Sequence, residues 1–241
     1  MISLRAGLST LRRFQVNSPL KSLTLCSLCL RAAGGHRICR DCLAGLPRNR
    51  NPCQRCALPL PLRRTGLCGR CLHQSPAHDT AYAPFLYRFP VDGLITHYKY
   101  GGDRALGFVL SEAWLDAFRG SRQCAGPLPQ QLIPCPISRR QLLIRGFNQS
   151  AELAWRLGKA LPIPVTPLLT RTGHHPNQAG LNRRQRLRNL QKAFHCTQPP
   201  PLHVALIDDV ITTGATAQAM SRALKQAGAR QVEIWAMART P

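Results

Sequence analysis

Four pairs of cysteines, each with two residues between its members, occupy the first third of this 241-residue chain. The pairs are CSLC, CRDC, CQRC and CGRC, with Cys26, Cys29, Cys39, Cys42, Cys53, Cys56, Cys68 and Cys71. Two thiolates three positions apart can hold one Zn²⁺ from a tight turn, and a second such pair completes a tetrahedron. The pattern therefore predicts two structural zinc sites, whose metal supplies much of the folding free energy of this segment.

The spacing leaves two ways of pairing the cysteines open. Sequential pairing gives two stacked zinc ribbons, whereas a cross-braced arrangement shares the pairs between the two sites. A disulfide framework is disfavoured because no secretory signal precedes the cysteines, and a redox C-x-x-C motif does not come in fours. Cys124, Cys135 and Cys196 lack this spacing and are predicted to be ordinary thiols.

The charge of the chain is strongly positive, with 33 Lys and Arg against 10 Asp and Glu. Such a surface attracts polyanions, which points to nucleic acid or phosphorylated substrates and says nothing about the fold. Of the basic residues 28 are Arg, which suits bidentate contacts with phosphate, although a base-composition bias of the genome explains the Arg excess equally well. No apolar run is long enough to span a bilayer, so a soluble, cytoplasmic protein is predicted.

The composition changes near residues 75–80, where cysteines become rare and apolar periodicity begins. We predict an extension without structure over 1–21, for which a transit peptide is the alternative, then a double zinc ribbon over 22–76 and a larger domain over 80–241. Helical spacing covers 91–100, 104–118, 151–161 and 217–228; strand patterns cover 202–208 and 231–238, with a strand or hairpin at 81–89 and a candidate strand at 163–169. Alternating strands and helices favour an α/β fold with a mostly parallel sheet.

The segment VALIDDVITTGAT places Asp208 and Asp209 together, a fifth of all the acids of a basic chain. The next polar or small residues are Thr212, Thr213, Gly214, Ala215 and Thr216. Small residues let backbone N–H groups approach a phosphate, and the helix that follows favours an anion at its N-terminus. Carboxylates just before this loop can accept hydrogen bonds from a vicinal diol. A 5-phosphorylated ribose carries both groups, whereas an ordinary helix cap explains only one polar residue.

This segment resembles the binding motif for phosphoribosyl pyrophosphate (PRPP) of type I phosphoribosyltransferases. Three further segments, YKYGGDRALG (98–107), IPCPISRRQLLIRGFNQSAELA (133–154) and RTGHHPNQAGLNRRQRLRNLQKAF (171–194), follow the cysteine pairs in this order. Together they are similar to the ComF/GntX family of competence-related proteins, over about residues 22–240. The resemblance implies a double zinc ribbon joined to a type I phosphoribosyltransferase-like domain, and an association with the uptake or use of external DNA.

The resemblance also implies roles for particular residues. Asp208 and Asp209 are expected to meet the ribose 2′- and 3′-hydroxyls, and the loop 212–216 to hold the 5-phosphate. The pyrophosphate of PRPP is expected at 134–140, and the Arg-rich stretch 171–188 resembles the mobile flap that closes over PRPP. The side chains expected to receive the pyrophosphate are Ser138, Arg139 and Arg140.

An active enzyme of this kind would substitute at ribose C1 while pyrophosphate leaves with Mg²⁺, and arginines would stabilise the growing negative charge. No segment matches the base-specific hood of the purine or orotate enzymes, so the resemblance does not supply an acceptor. Further candidates by position alone are Lys99, Arg104, His97 and Asn148. A second interpretation is a non-catalytic module that senses PRPP or binds single-stranded DNA on a transferase fold, because a fold does not fix a function.

Overall fold

The computed structural model of the chain describes residues 25–34, 37–121, 126–171 and 193–241. The strands in these ranges are β1 (Thr80–Tyr82), β2 (Phe85–Leu86), β3 (Gln131–Pro134), β4 (Leu169–Arg171), β5 (Phe194–Cys196), β6 (His203–Ile211) and β7 (Gln231–Arg239). The helices are α1 (Arg40–Ala44), α2 (Gly69–His73), α3 (Val91–Tyr100), α4 (Arg104–Arg119), α5 (Arg139–Arg145), α6 (Gln149–Ala160) and α7 (Ala215–Gln226).

The main sheet has the strand order β1-β7-β6-β3, and β2 pairs with β7 beyond the end of β1. Every pairing in this sheet is parallel, and β4 and β5 form a separate antiparallel pair. Helices cover both faces of the sheet, as its nearly continuous apolar strands require. The α/β fold with a mostly parallel sheet is thus confirmed, and the cysteine pairs precede it.

Alternate residues of β6 and β7 build two cores on opposite sides of the sheet. One core contains Ala205, Ile207 and Trp235 together with buried side chains of α3, α4 and α6. The other contains Leu206 and Ile234 together with buried side chains of α7. The alternation follows from the two-residue period of a strand, so the central pair of strands decides where each helix lies.

Aromatic packing fixes α4 against the sheet. Trp114 is fully buried, stacks on Phe118 with ring centroids 4.9 Å apart, and meets Trp235 at a tilt with centroids 5.3 Å apart. Its indole Nε1 donates to the carbonyl of Ala236 at 2.8 Å. The buried polar end of the ring is therefore satisfied, as large aromatic side chains in a core require.

The cysteine-rich segment packs directly on the main sheet. Arg48, which lies between the second and third cysteine pairs, bridges to Phe85 in an antiparallel sense. Asn49 N donates to Pro84 O at 2.7 Å, and Leu86 N donates to Pro47 O at 2.8 Å. The division of the chain between 76 and 80 stays a prediction, and several contacts cross that division.

Residues 81–89 contain strand structure, one of the two alternatives predicted, and form no hairpin, since β1 and β2 both run parallel to β7. Two other sequence-based predictions of elements need correction. Residues 163–169 contain two prolines that cannot donate to a ladder, so their pairing with β3 is a single bridge at Val165. The strand expected over 202–208 continues to Ile211, which places Asp209 as well as Asp208 inside β6.

No helix among the described residues is long and apolar enough to cross a membrane. The predictions for residues 1–21, Cys124 and most of the 171–188 stretch fall outside the described residues. Only Arg171 of that stretch is described, at the end of β4, where it is exposed and lies 5.9 Å above the ring of Phe194.

Gly158 brings α6 close to the sheet, and this contact generates a prediction. A Cβ at Gly158 would lie 2.5 Å from Val165 Cγ2 and 2.7 Å from the backbone O of Ile163. The substitution Gly158→Ala should therefore destabilise the protein by about 1–3 kcal/mol in urea unfolding, because a backbone atom must move. The matched helical change Gly93→Ala meets nothing within 4 Å and should cause no loss. Equal stability of the two variants would contradict the prediction.

Candidate functional site

The two acids lie near the carboxyl end of β6, where the neighbouring parallel strands also end. The Asp208 side chain accepts two hydrogen bonds, from its neighbour Asp209 N at 2.9 Å and from Ser150 Oγ at 3.3 Å. Ser150 stands in the first turn of α6, so the helix that Gly158 holds against the sheet also brings a hydroxyl to the acidic pair.

Lys99, near the end of α3, forms an ion pair with Asp209. Its Nζ lies 2.9 Å from Asp209 Oδ1, and the two side chains are 15% and 14% exposed. Because both side chains are shielded from water, salt screens the attraction between their charges less than it screens a surface ion pair. Lys99 was a candidate by position alone; the structure brings it to the second acid.

The environment of Asp208 raises its pKa to about 7. Burial of the carboxyl is the main cause and the charge of Asp209 adds to it, whereas the N–H of Asp209, Lys99 and Ser150 act in the opposite direction. Because this folded-state pKa lies above the unfolded value, the group stabilises the fold below about pH 4, and this contribution is lost as the pH rises through 7. At neutral pH the pair holds a charge that a cation or hydrogen-bond donors can stabilise.

The loop after β6 leads into α7, and no carboxylate caps the backbone N–H groups at the start of this helix. Gly214 is the N-cap residue in a left-handed conformation, with φ of 79°, and caps α7 with no side chain. Within the described part of the chain, Thr213 Oγ1 accepts from Ala215 N at 3.3 Å. The carboxylates of Asp208 and Asp209 are engaged elsewhere, so they do not serve as the helix cap that was the alternative interpretation. Of the other loop residues Thr212 is exposed and Thr216 partly buried.

The segment after β3 forms the adjacent wall of the site. Cys135 N donates to Ile207 O at 2.9 Å, which places this segment beside the acidic pair. Ser138 begins α5 with a capping box, in which Gln141 N donates to Ser138 Oγ at 3.2 Å and the Gln141 side chain accepts from Ser138 N. Arg139 and Arg140 follow in the first turn and are both exposed. Two solvent-accessible guanidinium groups thus stand at the same edge of the sheet as the acids.

The remaining candidates by position have structural partners or are exposed. Asn148 caps α6 through Ser150 N and Ala151 N, and its Nδ2 donates to the carbonyl of Cys135 at 3.0 Å. Arg104 Nε donates to Glu152 at 2.7 Å. His97 is exposed on α3.

The eight paired cysteines converge in two groups. The sulfur atoms of each group lie within 4.8 Å of one another, and the groups are Cys26, Cys29, Cys39, Cys42 and Cys53, Cys56, Cys68, Cys71. This is the sequential pairing of the two alternatives. The Sγ atoms of Cys29 and Cys39, and those of Cys56 and Cys68, are 3.7 Å apart. Four ligands at about 2.3 Å around a tetrahedral Zn²⁺ would stand about 3.8 Å apart, so both groups could hold zinc.

Backbone N–H groups support the thiolates at each centre. Cys39 N donates to Cys26 Sγ at 3.3 Å, and Cys68 N donates to Cys53 Sγ at 3.2 Å. Burial opposes the charged form of Cys26, but the backbone donors together outweigh it and lower the pKa of Cys26 to about 6. The donors favour the deprotonated sulfur that a metal requires.

Two arginines join the second cysteine group to the loop after β6. Arg239, the last residue of β7, is 4% exposed, and its Nε donates to Cys56 O at 3.1 Å while its Nη1 donates to Ile211 O and Thr212 O. Arg70 lies between Cys68 and Cys71 and donates from Nη2 to Thr213 O at 3.0 Å. Sequence reasoning assigned neither residue to the site. The one available signal was a charge at the end of the buried strand QVEIWAMAR.

A parallel α/β sheet, an acidic pair ahead of a helix N-terminus and two preceding four-cysteine groups define a phosphoribosyltransferase-like protein with an N-terminal cysteine module. Competence protein F of Haemophilus influenzae is 34% identical over 181 residues, which cover 71% of this chain and 78% of that protein. DNA utilization protein YhgH of Escherichia coli (strain K12) is 32% identical over 221 residues, or 90% of this chain and 97% of that protein. The chain therefore belongs to the family of these proteins, the ComF/GntX family.

More distant matches agree with this assignment or add little to it. Competence protein ComFC of Bacillus subtilis is 25% identical over 230 residues, covering 89% of this chain and 78% of that protein. No family model matches the chain. A purine phosphoribosyltransferase from Pyrococcus horikoshii Ot3 matches 58% of this chain and 82% of its own chain at 18% identity, with a TM-score of 0.29, a similarity too low for a comparison of sites.

The cysteine groups generate a prediction about metal content. Purified protein should contain two zinc ions per chain, and Cys53→Ser should contain one, because a site that lacks one thiolate loses most of its affinity. Metal analysis by mass spectrometry measures both values. The control Cys196→Ser alters a partly buried thiol outside both groups and should keep two ions. One ion or none in the wild-type protein would contradict the two-site prediction.

Proposed function

We propose that this chain binds PRPP with Mg²⁺ at the acidic pair of β6 and acts in the uptake or utilisation of external DNA. The observation that carries the first half is the position of Asp208 and Asp209, shielded from water beside Lys99 and Ser150, next to a loop whose helix lacks a side-chain cap. Two adjacent carboxylates in such a place repel each other and lose hydration, which destabilises the fold. A bound cation or sugar diol would offset this cost.

Each part of PRPP then has a matching part of the site. The carboxylates of Asp208 and Asp209 accept from the ribose 2′- and 3′-hydroxyls. The loop of Thr212, Thr213, Gly214, Ala215 and Thr216 holds the 5-phosphate at the start of α7, where Ala215 N would exchange its bond to Thr213 Oγ1 for one to the phosphate. Ser138, Arg139 and Arg140 receive the pyrophosphate, whose charge the two guanidinium groups balance. Mg²⁺ would supply a further positive charge on the pyrophosphate; the chain's own residues bind and orient the sugar.

The proposed role in DNA metabolism rests on the family and on charge. One relative is a competence protein and another a DNA utilization protein, and the present chain carries a formal charge of +23. Charge of this size attracts the phosphate backbone of single-stranded DNA without regard to sequence. We expect this action in the cytoplasm, with the two four-cysteine modules helping to position the chain on DNA or on a partner of the uptake machinery.

The ion pair between Lys99 and Asp209 favours a second candidate function. An acid that meets a ribose hydroxyl in an active transferase is already neutralised here at 2.9 Å. The chain would then sense PRPP, or hold DNA, without turnover. Release of pyrophosphate from PRPP across a panel of bases, nucleosides and oligonucleotides distinguishes a pentosyltransferase from such a binding module.

The acidic pair generates the central test. The double variant Asp208→Asn/Asp209→Asn should bind Mg²⁺ and PRPP at least about 100-fold more weakly in calorimetry, because each lost charged hydrogen bond costs roughly 1.5–3 kcal/mol. Its thermal stability should change far less, since Asn keeps the shape and part of the hydrogen bonding of Asp.

A charge-matched control separates this effect from general electrostatics. The double variant Glu112→Gln/Asp116→Asn removes two exposed acids from α4 and should bind Mg²⁺ and PRPP like the wild type. Wild-type affinity in the Asp208→Asn/Asp209→Asn protein would refute the proposed ligand.

A separate prediction concerns single-stranded DNA. We expect micromolar affinity with little sequence preference and a steep loss with salt, measured by fluorescence anisotropy. Replacing the exposed Arg63 and Arg64 of the cysteine-rich segment by Gln should reduce the slope of log K against log salt by about 1.4, the value for two phosphate contacts.

The control for this experiment removes the same charge elsewhere. Arg119→Gln/Arg230→Gln alters two exposed arginines of the larger domain and should leave the slope nearly unchanged. An equal reduction in both variants would show that the cysteine-rich segment has no special part in DNA binding. Sequence-selective binding that ignores salt would count against the whole prediction.

A further inference from the structure

A cleft of about 510 Å³ lies between the second cysteine group and α7. Its volume is within the range of ligand pockets, roughly 300–1,000 Å³. The cleft begins at Thr213, Gly214 and Ala215 and runs along α7 past Gln218 to Arg222. Ala215, Gln218 and Arg222 are spaced by three and four residues, so they share one face of the helix over about 10 Å. Neither Asp208 nor Asp209 lines this cleft.

The described side chains that line the cleft include several cations and no carboxylate. Arg70, Arg222 and Arg239 contribute three guanidinium groups, of which that of Arg239 is buried and already donates to backbone carbonyl groups. Gln218 uses its Oε1 to accept from Ala77 N at 2.7 Å, which leaves its amide N–H groups for another partner. A concave surface that offers guanidinium and amide donors without a carboxylate is complementary to an anion.

A buried histidine with an unpartnered ring nitrogen lies in the same cleft. His78 is 5% exposed and lines the cleft, and its Nδ1 has no hydrogen-bond partner among the described residues. A buried polar atom without a partner is costly, and such atoms in native proteins usually meet a water, an ion or a ligand. The guanidinium of Arg222 likewise has no hydrogen bond or ion pair to another described residue.

We propose that this cleft, which meets the proposed PRPP site only at the loop after β6 and does not include its acidic pair, is a second anion-binding site for an extended ligand that carries more than one phosphate. Arg222 is the anchor at one end, Arg70 binds the other end of the ligand beside the loop after β6, and His78 lines the wall between them. The loop and the backbone of Arg222 are about 10 Å apart along the helix axis, so a single phosphate would depend wholly on the reach of the Arg222 side chain, whereas two or more phosphates shorten that gap. A pyrophosphate-bearing metabolite and the 5′ end of an oligonucleotide share this chemistry.

Calorimetry with two probes tests the proposal on the full chain. One probe is inorganic pyrophosphate without Mg²⁺, and the other is a 5′-phosphorylated tetranucleotide beside the same tetranucleotide with a 5′-hydroxyl. Arg222→Gln should weaken the affinity for the more tightly bound probe about tenfold, the loss expected for one charged hydrogen bond. A larger loss for the tetranucleotide identifies an oligonucleotide as the ligand, and a larger loss for pyrophosphate identifies a small metabolite.

Two controls make the outcome decisive. Arg230→Gln removes an equal charge just beyond α7, outside the cleft, and should change affinity by less than about twofold. Arg222→Gln should leave the affinity for Mg²⁺ and PRPP unchanged, whereas Asp208→Asn/Asp209→Asn should leave binding in the cleft intact. Equal effects of Arg222→Gln and Arg230→Gln, or no effect of Arg222→Gln, would overturn the proposal. A loss of PRPP binding in Arg222→Gln would overturn it too, by showing that the two sites are one.

Discussion

The buried guanidinium of Arg239 connects the main sheet, the second cysteine group and the loop after β6. It ends the central strand β7, and its hydrogen bonds reach the second cysteine group through Cys56 O and the loop after β6 through Ile211 O and Thr212 O. Burial lowers the pKa of Arg239, but the carbonyl acceptors satisfy the charge. Removing a buried and satisfied charge leaves several acceptors without donors, so few other side chains have such wide consequences.

This arrangement gives the cysteine module a structural part in the proposed ligand site. The second cysteine group is buried in a small apolar cluster of its own. Arg70 and Arg239 connect it to the loop after β6 by hydrogen bonds. Metal at this group would fix the turn that carries Arg70. The first group instead packs into the large core with α3 and α4, through Ile38 and Leu46. The two cysteine groups therefore pack against different parts of the larger domain despite their similar motifs.

The acidic pair shows how a central strand can hold charge next to a core. Ile207 is fully buried, and the next two residues carry carboxylates that are partly compensated, Asp208 by Ser150 of α6 and Asp209 by Lys99 of α3. The compensation is incomplete for Asp208, whose pKa is raised to about 7 by burial and by its neighbour. A buried carboxylate that still lacks hydrogen-bond donors can gain them from a ligand, and the fold rather than the binding step bears the free energy of desolvating it.

The sequence by itself determined the eight cysteines, the acidic pair and the small-residue loop, because each is a local pattern whose spacing carries its chemistry. It also predicted the helices that contain Leu106, Trp114 and Leu153, whose apolar spacing is long and regular. It failed where prolines removed donors at 163–169, and it left strand and hairpin as alternatives at 81–89, because the pairing there depends on the last strand of the chain. Only the tertiary structure decided that Lys99 meets Asp209, that Arg239 meets Cys56, and that the Nδ1 of His78 is left without a partner in a basic cleft. These contacts join residues far apart in the chain, and which of them form depends on how the helices and the cysteine groups pack on the sheet.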